Sequence, residues 1–177
     1  LGVLESKRSE GTFVCSGFQE SMIDPMIYGM ILNQDSFDNL MELREMVEAG
    51  IMRLASAKYN EEDGRVLEQL LDQMRGIVRG GQDKVERSFA VDNQFHDMVS
   101  QMGKNPLADK ISRVVRTLTH AVRYETVSTM INTGRGEELL EAHSDLFETL
   151  RSRRQDNVEE IVRATYFKAA LYGQEKN

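Results

Sequence analysis

Three residues stand out by type and spacing. In the run Phe89, Asp92, Phe95, His96, Val99, Met102, apolar residues recur every three or four positions, and Asp92 and His96 fall four apart among them. On a helix that spacing places both on one face, one turn apart. The neighbours on that face are apolar, so a carboxylate and an imidazole are aimed at the core. Burying them unpaired would cost several kcal/mol, a sizeable share of a domain's net stability of about 5–15 kcal/mol. They need partners. In a second run, Leu139, Leu140, His143, Leu146, Phe147, Leu150, His143 occupies the middle of an apolar stripe and also points inward. Two imidazoles and one carboxylate form a donor set suited to a divalent metal. The same residues also admit a plainer account, with Asp92 and His96 satisfying each other and His143 an ordinary core histidine. Three polar residues on two apolar faces favour a shared pocket; spacing alone does not say whether a metal fills it.

Other candidates are less pointed. His120 falls with Arg113, Arg116 and Arg123 at spacings of three and four, apart from the apolar row Leu107, Ile111, Val114, Val115, Leu118 and Val122. That arrangement predicts a basic face exposed to solvent or to another subunit. Its alternative is an anion-binding arginine, with Arg123 first because it adjoins Val122. Arg44 lies beside the stripe Leu40, Leu43, Val47 and reads either as a rim salt bridge or as a guanidinium gripping a carboxylate. There is no glycine-rich phosphate loop, no Gly-x-Ser-x-Gly elbow and no CxxC pair. Metal-assisted hydrolysis on Asp92, His96 and His143 stands as an alternative to binding, although no general base beyond the ligands is visible.

These residues must be held by helices. Only two prolines occur, Pro25 and Pro106, and Leu, Met, Glu and Arg are plentiful, a composition that favours helix. From Ser36 onward the helical period predicts segments over about 36–59, 61–79, 83–102, 106–132, 136–152 and 156–172. Asn60 caps the second, Gly80 and Gly81 end it, and Asn105 with Pro106 opens the fourth. Short loops between such segments make an antiparallel bundle, all-α, of six to seven helices. Residues 1–18 differ. Val3 and Leu4, then Thr12, Phe13 and Val14, are β-favouring runs separated by a polar turn, which predicts a hairpin. A lone hairpin is only marginally stable, so it is expected to be the remnant of a larger N-terminal domain. Residues 19–34 read as a linker with a short helix after Pro25, and 35–177 as the helical domain.

Composition narrows the function. The 177 residues suffice for one sizeable core. The net charge of −7 makes the chain as a whole a poor nucleic-acid binder, since phosphate contacts need clustered Lys and Arg; any DNA-touching part is expected to be small or to lie outside this sequence. The single cysteine, Cys15, excludes an internal disulfide framework and fits a reducing compartment. No run approaches the roughly 20 apolar residues that span a bilayer, and no signal segment opens the chain. The expected location is the cytoplasm. The chain begins at Leu1 rather than Met, and a preceding segment is expected.

Five motifs in order resemble one family, the C-terminal effector-binding (FCD) domain of FadR-type regulators in the GntR superfamily. Leu4 to Lys7 and Gly11 to Val14 look like the wing closing a winged helix-turn-helix. Arg44, Val47 and Glu48 match an Arg-x-x-apolar-Glu pattern, and Asp92, Phe95 and His96 match Asp-x-x-Phe-His. Gly103 to Leu107 resembles the family's turn, and Glu141, Ala142, His143 is close to its Glu-His. The resemblance implies a homodimeric bacterial transcription regulator, most often a repressor, not an enzyme. It would bind operator DNA through the N-terminal domain, with Lys7, Arg8 and Gly11 as wing contacts. It would sense a small organic acid with Arg44, Asn105, Arg123 and Thr165. Many members hold a divalent metal with an Asp and three His, zinc first, with nickel or manganese as alternatives. Asp92, His96 and His143 map onto three of those ligands, and the fourth position falls on Thr165, a poor zinc ligand. Either three residues plus water or effector hold the metal, or it has been lost; retention is expected. The linker at Asp24, Pro25 and Met26 resembles the branch responding to 2-hydroxy and 2-oxo acids.

Overall fold

The computed structural model describes residues 4–7, 11–14, 36–80 and 82–166. The chain divides into two compact units, Leu1–Met41 and Glu42–Asn177. In the first, strand β1 (Leu4–Lys7) pairs antiparallel with β2 (Gly11–Val14), in a register running from Leu4 opposite Val14 to Lys7 opposite Gly11. Gly11 has φ +105°, a backbone that a residue with a Cβ adopts only under strain. Arg8, at the expected hairpin tip, and the expected linker 19–34 lie outside the described residues.

Seven helices follow among the described residues: α1 (Ser36–Ala57), α2 (Glu61–Arg79), α3 (Lys84–Met102), α4 (Pro106–Leu118), α5 (His120–Asn132), α6 (Gly136–Arg151) and α7 (Val158–Tyr166). The expected caps are in place. The Asn60 side chain accepts from the backbone N–H of Glu62 and Asp63 at 3.1 and 3.0 Å, and that of Asn105 accepts from Leu107 and Ala108 at 3.2 Å each. Helix α2 lies against α3 and α6, α3 against α5, and α5 against α6, which closes a ring of four. Leu67 and Met74 of α2, Phe95 and Met102 of α3, and Leu146 and Leu150 of α6 are fully buried in it. Helix α4 packs on α3 and α5, and α7 on α6. Helix α1 is tied in by Ser56 Oγ, which donates to the Arg154 carbonyl at 2.9 Å, and by the Arg163–Glu45 ion pair at 2.5 Å. Close approach of α6 to the end of α2 depends on Gly136, where a Cβ would come within 2.8 Å of Val78 Cγ1.

Two expectations need correction. The single helix over 106–132 is two helices meeting at Thr119, which has φ −95° and ψ 10°. The buried Thr119 hydroxyl donates to the Val115 carbonyl at 2.8 Å, a back-bond that bends helices. Backbone bonds into and out of Thr119, each 3.0 Å, survive, so the joint is a bend rather than a loop.

The second correction concerns which face is inside. Leu107 is 69% and Ile111 45% exposed, while the buried row is Ser112, Val115, Arg116, Thr119 and Arg123. Arg116 and Arg123 therefore do not sit with Arg113 and His120 on a solvated basic face. Both find acceptors on α3, and the small Ser112 and Thr119 share the buried row with them. Charge pairing has decided the orientation over apolar periodicity.

Candidate metal and effector site

The ring of helices converges on Asp92. Helix α3 presents Asp92 and His96 one turn apart, α6 presents His143, and α5 presents Arg123; all four are buried. One carboxylate oxygen, Asp92 Oδ1, lies 3.1 Å from His143 Nε2 and 3.5 Å from His96 Nε2. The other, Oδ2, accepts from Arg123 Nη2 at 2.7 Å. The three candidate ligand atoms all lie within 4.8 Å of one another. Phe95 packs its ring edge-on against both imidazoles, at centroid distances of 5.7 and 5.0 Å, and fixes their planes.

The tautomer of His143 is set by its surroundings. Its Nδ1 lies 2.8 Å from the Leu139 carbonyl, which can only accept, so Nδ1 carries the proton. The Nε2 atom faces a carboxylate oxygen, to which it either donates a second proton or, without one, presents a lone pair. Two acceptors 3.1 Å apart repel unless a positive centre lies between them, either a proton or a metal ion. Ligands about 2.0–2.1 Å from a tetrahedral ion are separated by ~3.3 Å, and the two observed Asp92-to-histidine distances straddle that figure. The carbonyl bond to Nδ1 is itself the outer support usual for a metal-binding histidine. The donor set fits a divalent ion.

Electrostatics agree in direction. Burial pushes His96 down to about 3, against the pull of Asp92, so at neutral pH its ring is uncharged, the form that binds metal. Burial would raise Asp92, but the adjoining imidazoles and their hydrogen bonds hold it well below the usual carboxylate range. Asp92 is ionised and ready to coordinate.

Behind these residues a cavity of about 40 Å³ is lined by Arg44, Asp92, His96, Arg123, Thr126 and His143, with Thr165 and four apolar residues completing it. That is roughly three times the 10–15 Å³ a single water needs. The predicted residues Arg44, Arg123 and Thr165 thus share one space with the three candidate ligands. Thr165 Oγ1 donates to the Ile161 carbonyl at 2.6 Å. Asn105 does not join them. It is exposed and caps α4, its side-chain oxygen taken by two backbone N–H groups. His120 is exposed, its ring edge-on to Phe89 at 5.1 Å. Lys7 and Gly11 face each other across the hairpin.

Sequence reasoning missed two participants. Glu48 enters above only as part of a motif, yet it is buried, and its Oε1 has no hydrogen-bond partner among the described residues. Burial raises its carboxyl against the nearby guanidiniums of Arg44, Arg116 and Arg123. Asn93 also went unnoticed, and its Oδ1 accepts from Arg123 Nη2 at 2.6 Å. A signal for the inward face of α4 and α5 did exist. Ser112, Arg116, Thr119 and Arg123 recur at spacings of four, three and four, small residues alternating with long cations.

Comparison with known proteins agrees with this geometry. The FCD domain family matches residues 39–166. The chain is 27% identical over 162 residues to the galactonate operon transcriptional repressor of Escherichia coli K12, covering 89% of this chain and 68% of that protein. It is 25% identical over 126 residues to the HTH-type transcriptional regulator LutR of Bacillus subtilis 168, covering 71% and 56%. Among solved structures, Streptococcus agalactiae GntR aligns with a TM-score of 0.62 at 22% identity, over 97% of this chain and 75% of that one. E. coli McbR/YncC aligns with a TM-score of 0.61 at 14% identity, over 97% and 78%. The two curated relatives are named as a transcriptional repressor and a transcriptional regulator, in agreement with the expectation that the chain is not an enzyme. No helix among the described residues is long and apolar enough to cross a membrane. The chain belongs to the FCD domain family.

Proposed function

We propose that this chain is the sensing part of a bacterial, cytoplasmic, homodimeric DNA-binding repressor, and that its helical domain binds a small carboxylate through a divalent metal held by Asp92, His96 and His143. The observation that supports the metal is the convergence of Asp92 Oδ1 on His143 Nε2 and His96 Nε2, at 3.1 and 3.5 Å, with all three candidate ligand atoms within 4.8 Å of one another. Zinc is the first choice for two imidazoles and a carboxylate; nickel or manganese would suit the same donors. When bound, the ion supplies a Lewis-acidic centre to which an anion adds.

The carboxylate follows from charge. Of the charged side chains that line the cavity, Arg44 and Arg123 outnumber Asp92, so the walls carry a net positive charge. A divalent ion adds to that charge and strengthens an anion's reason to enter. Arg44 and Thr165 are then the side chains that meet the effector; Asn105 has no part in it. One relative is named for the galactonate operon, and galactonate is a 2-hydroxy acid, the ligand class we propose. The β1–β2 hairpin is proposed as the wing of a winged helix, with Lys7 and Arg8 on phosphate and Gly11 shaping the turn.

The test is elemental analysis of the purified protein, followed by thermal shift against 2-hydroxy and 2-oxo acids with and without chelator. Bound metal and a carboxylate-dependent rise in Tm that chelation abolishes are expected. His143→Ala should lower both. Carboxylate shifts that survive chelation and His143→Ala would refute the metal-centred pocket.

A further inference from the structure

Asp92 divides its two oxygens between two tasks, and the division is imposed from outside the carboxylate. Oδ1 faces the imidazoles of His143 and His96. Oδ2 accepts from Arg123 Nη2 at 2.7 Å. The same Nη2 donates to Asn93 Oδ1 at 2.6 Å, and the guanidinium carbon stands 5.4 Å over the Phe89 ring. Asn93 is pinned in turn, because its Nδ2 donates to the Phe89 carbonyl at 2.8 Å. That bond also settles which end of the amide faces Arg123: the nitrogen gives to a carbonyl, so the oxygen is left to accept. The relay runs from the Phe89 carbonyl through Asn93 and Arg123 to Asp92. Each link has one possible donor and one possible acceptor.

We propose that Arg123 is the positioning residue of the metal centre: by occupying Asp92 Oδ2 it makes Asp92 a ligand through Oδ1 alone and aims that oxygen at the two histidines. This rests on the metal reading above and deepens it. It also changes the part given to Arg123. A guanidinium whose Nη2 is shared between Asp92 and Asn93 is a support for the ligand set, and the effector-facing cation of the cavity is Arg44. Carboxylates that bind metals are commonly held this way by a hydrogen-bond donor on the outer oxygen, and losing such a partner costs about 10–100-fold in metal affinity. With Oδ2 withheld, Asp92 Oδ1, His96 and His143 would hold the ion beside the cavity that they help to line.

The experiment uses zinc affinity, by competition with a chromophoric chelator, and the visible spectrum of the cobalt(II)-loaded protein, which reports coordination number. Arg123→Met keeps the bulk and removes the donors. It is expected to weaken zinc about 10–100-fold and to change the cobalt spectrum, because Asp92 is free to chelate through both oxygens or to swing away. Arg123→Lys restores the charge without the fork and should recover part of the affinity. Asn93→Ala leaves Asp92 and Arg123 in place but frees the guanidinium, and should shift the same two readouts in the same direction by less; it keeps the test decisive if Arg123→Met does not fold. Unaltered zinc affinity and cobalt spectrum in folded Arg123→Met, or in Asn93→Ala where the former is unfolded, overturns the proposal while leaving the metal site standing. A purely structural role would lower the Tm of metal-free protein and leave the cobalt spectrum unmoved, which also overturns it. A wild-type protein that takes up neither ion overturns both readings.

Discussion

The two arginines on the inner row of the bent α4–α5 pair occupy different surroundings. Arg123 meets Asp92, whose side chain is 8% exposed, at 2.7 Å. Arg116, seven residues earlier, pairs with Asp97, whose side chain is 42% exposed, and reaches the Asn93 carbonyl at 3.4 Å. Both guanidiniums are buried. The carboxylates differ, one sealed in the ring of helices and one at its rim. A sealed carboxylate cannot recover its hydration if its partner is lost; a rim carboxylate can. The same residue type on the same helical row therefore meets a sealed carboxylate at one end, where the metal site is proposed, and a hydrated one at the other.

The largest expected effect lies at the sealed end. Arg123→Met should destabilise the metal-free protein by about 3–5 kcal/mol, the usual cost of removing one partner of a buried pair, measured by urea unfolding. Arg116→Met should cost less, about 1–3 kcal/mol, because Asp97 turns to water. Equal losses at the two positions would break the contrast.

How far the sequence disclosed all this depends on how each residue's orientation was decided. Asp92, His96 and His143 were legible because they interrupt strongly apolar stripes, and an interruption inside a stripe can only point inward. The α2 boundaries were legible because Asn60 and Gly80 fix them locally. On α4 the apolar row is split: Leu107 and Ile111 are exposed, Val114 and Leu118 half-buried and Val115 buried, and Arg116 on the buried side finds its acceptors on α3. Partners on another helix leave no mark in a helix's own period. The bend at Thr119 was hidden for a related reason. A threonine hydroxyl that back-bonds to its own helix looks, in sequence, like any other threonine. Asn93 and Glu48 escaped because their importance lies in what they touch.

Glu48 links the two arginines, since both guanidiniums act on it, together with Arg44. Its carboxyl is raised in the folded state, chiefly by burial. A raised acid favours the protonated folded form, so its contribution to stability is complete below the ordinary glutamate value near 4.5 and is lost as pH rises through the folded value. Glu48→Gln removes that dependence. The variant should gain on wild type as pH climbs from about 4 to 7, by less than either arginine loss, in parallel urea titrations. A wild type that gains on the variant over that range would mean that the arginines overcome burial.

The smallest effect is expected on the outward row. Leu107 is 69% exposed and Val115, eight residues on, only 2%. Leu107→Ser removes little buried apolar area and should change monomer stability by no more than about 0.5 kcal/mol, as for most surface substitutions. Val115→Ser places a hydroxyl against α3 and α5 and removes two methyl groups from the interior, a change on the order of 2 kcal/mol. The pair tests the orientation of α4 directly, because the apolar period taken alone puts both residues in the core and predicts two large losses. Low protein concentration matters in the measurement, since association through an exposed apolar row would add a concentration-dependent part to the Leu107 variant. A large loss at Leu107 that persists on dilution would return that row to the core and remove the geometry that turns Arg123 toward Asp92.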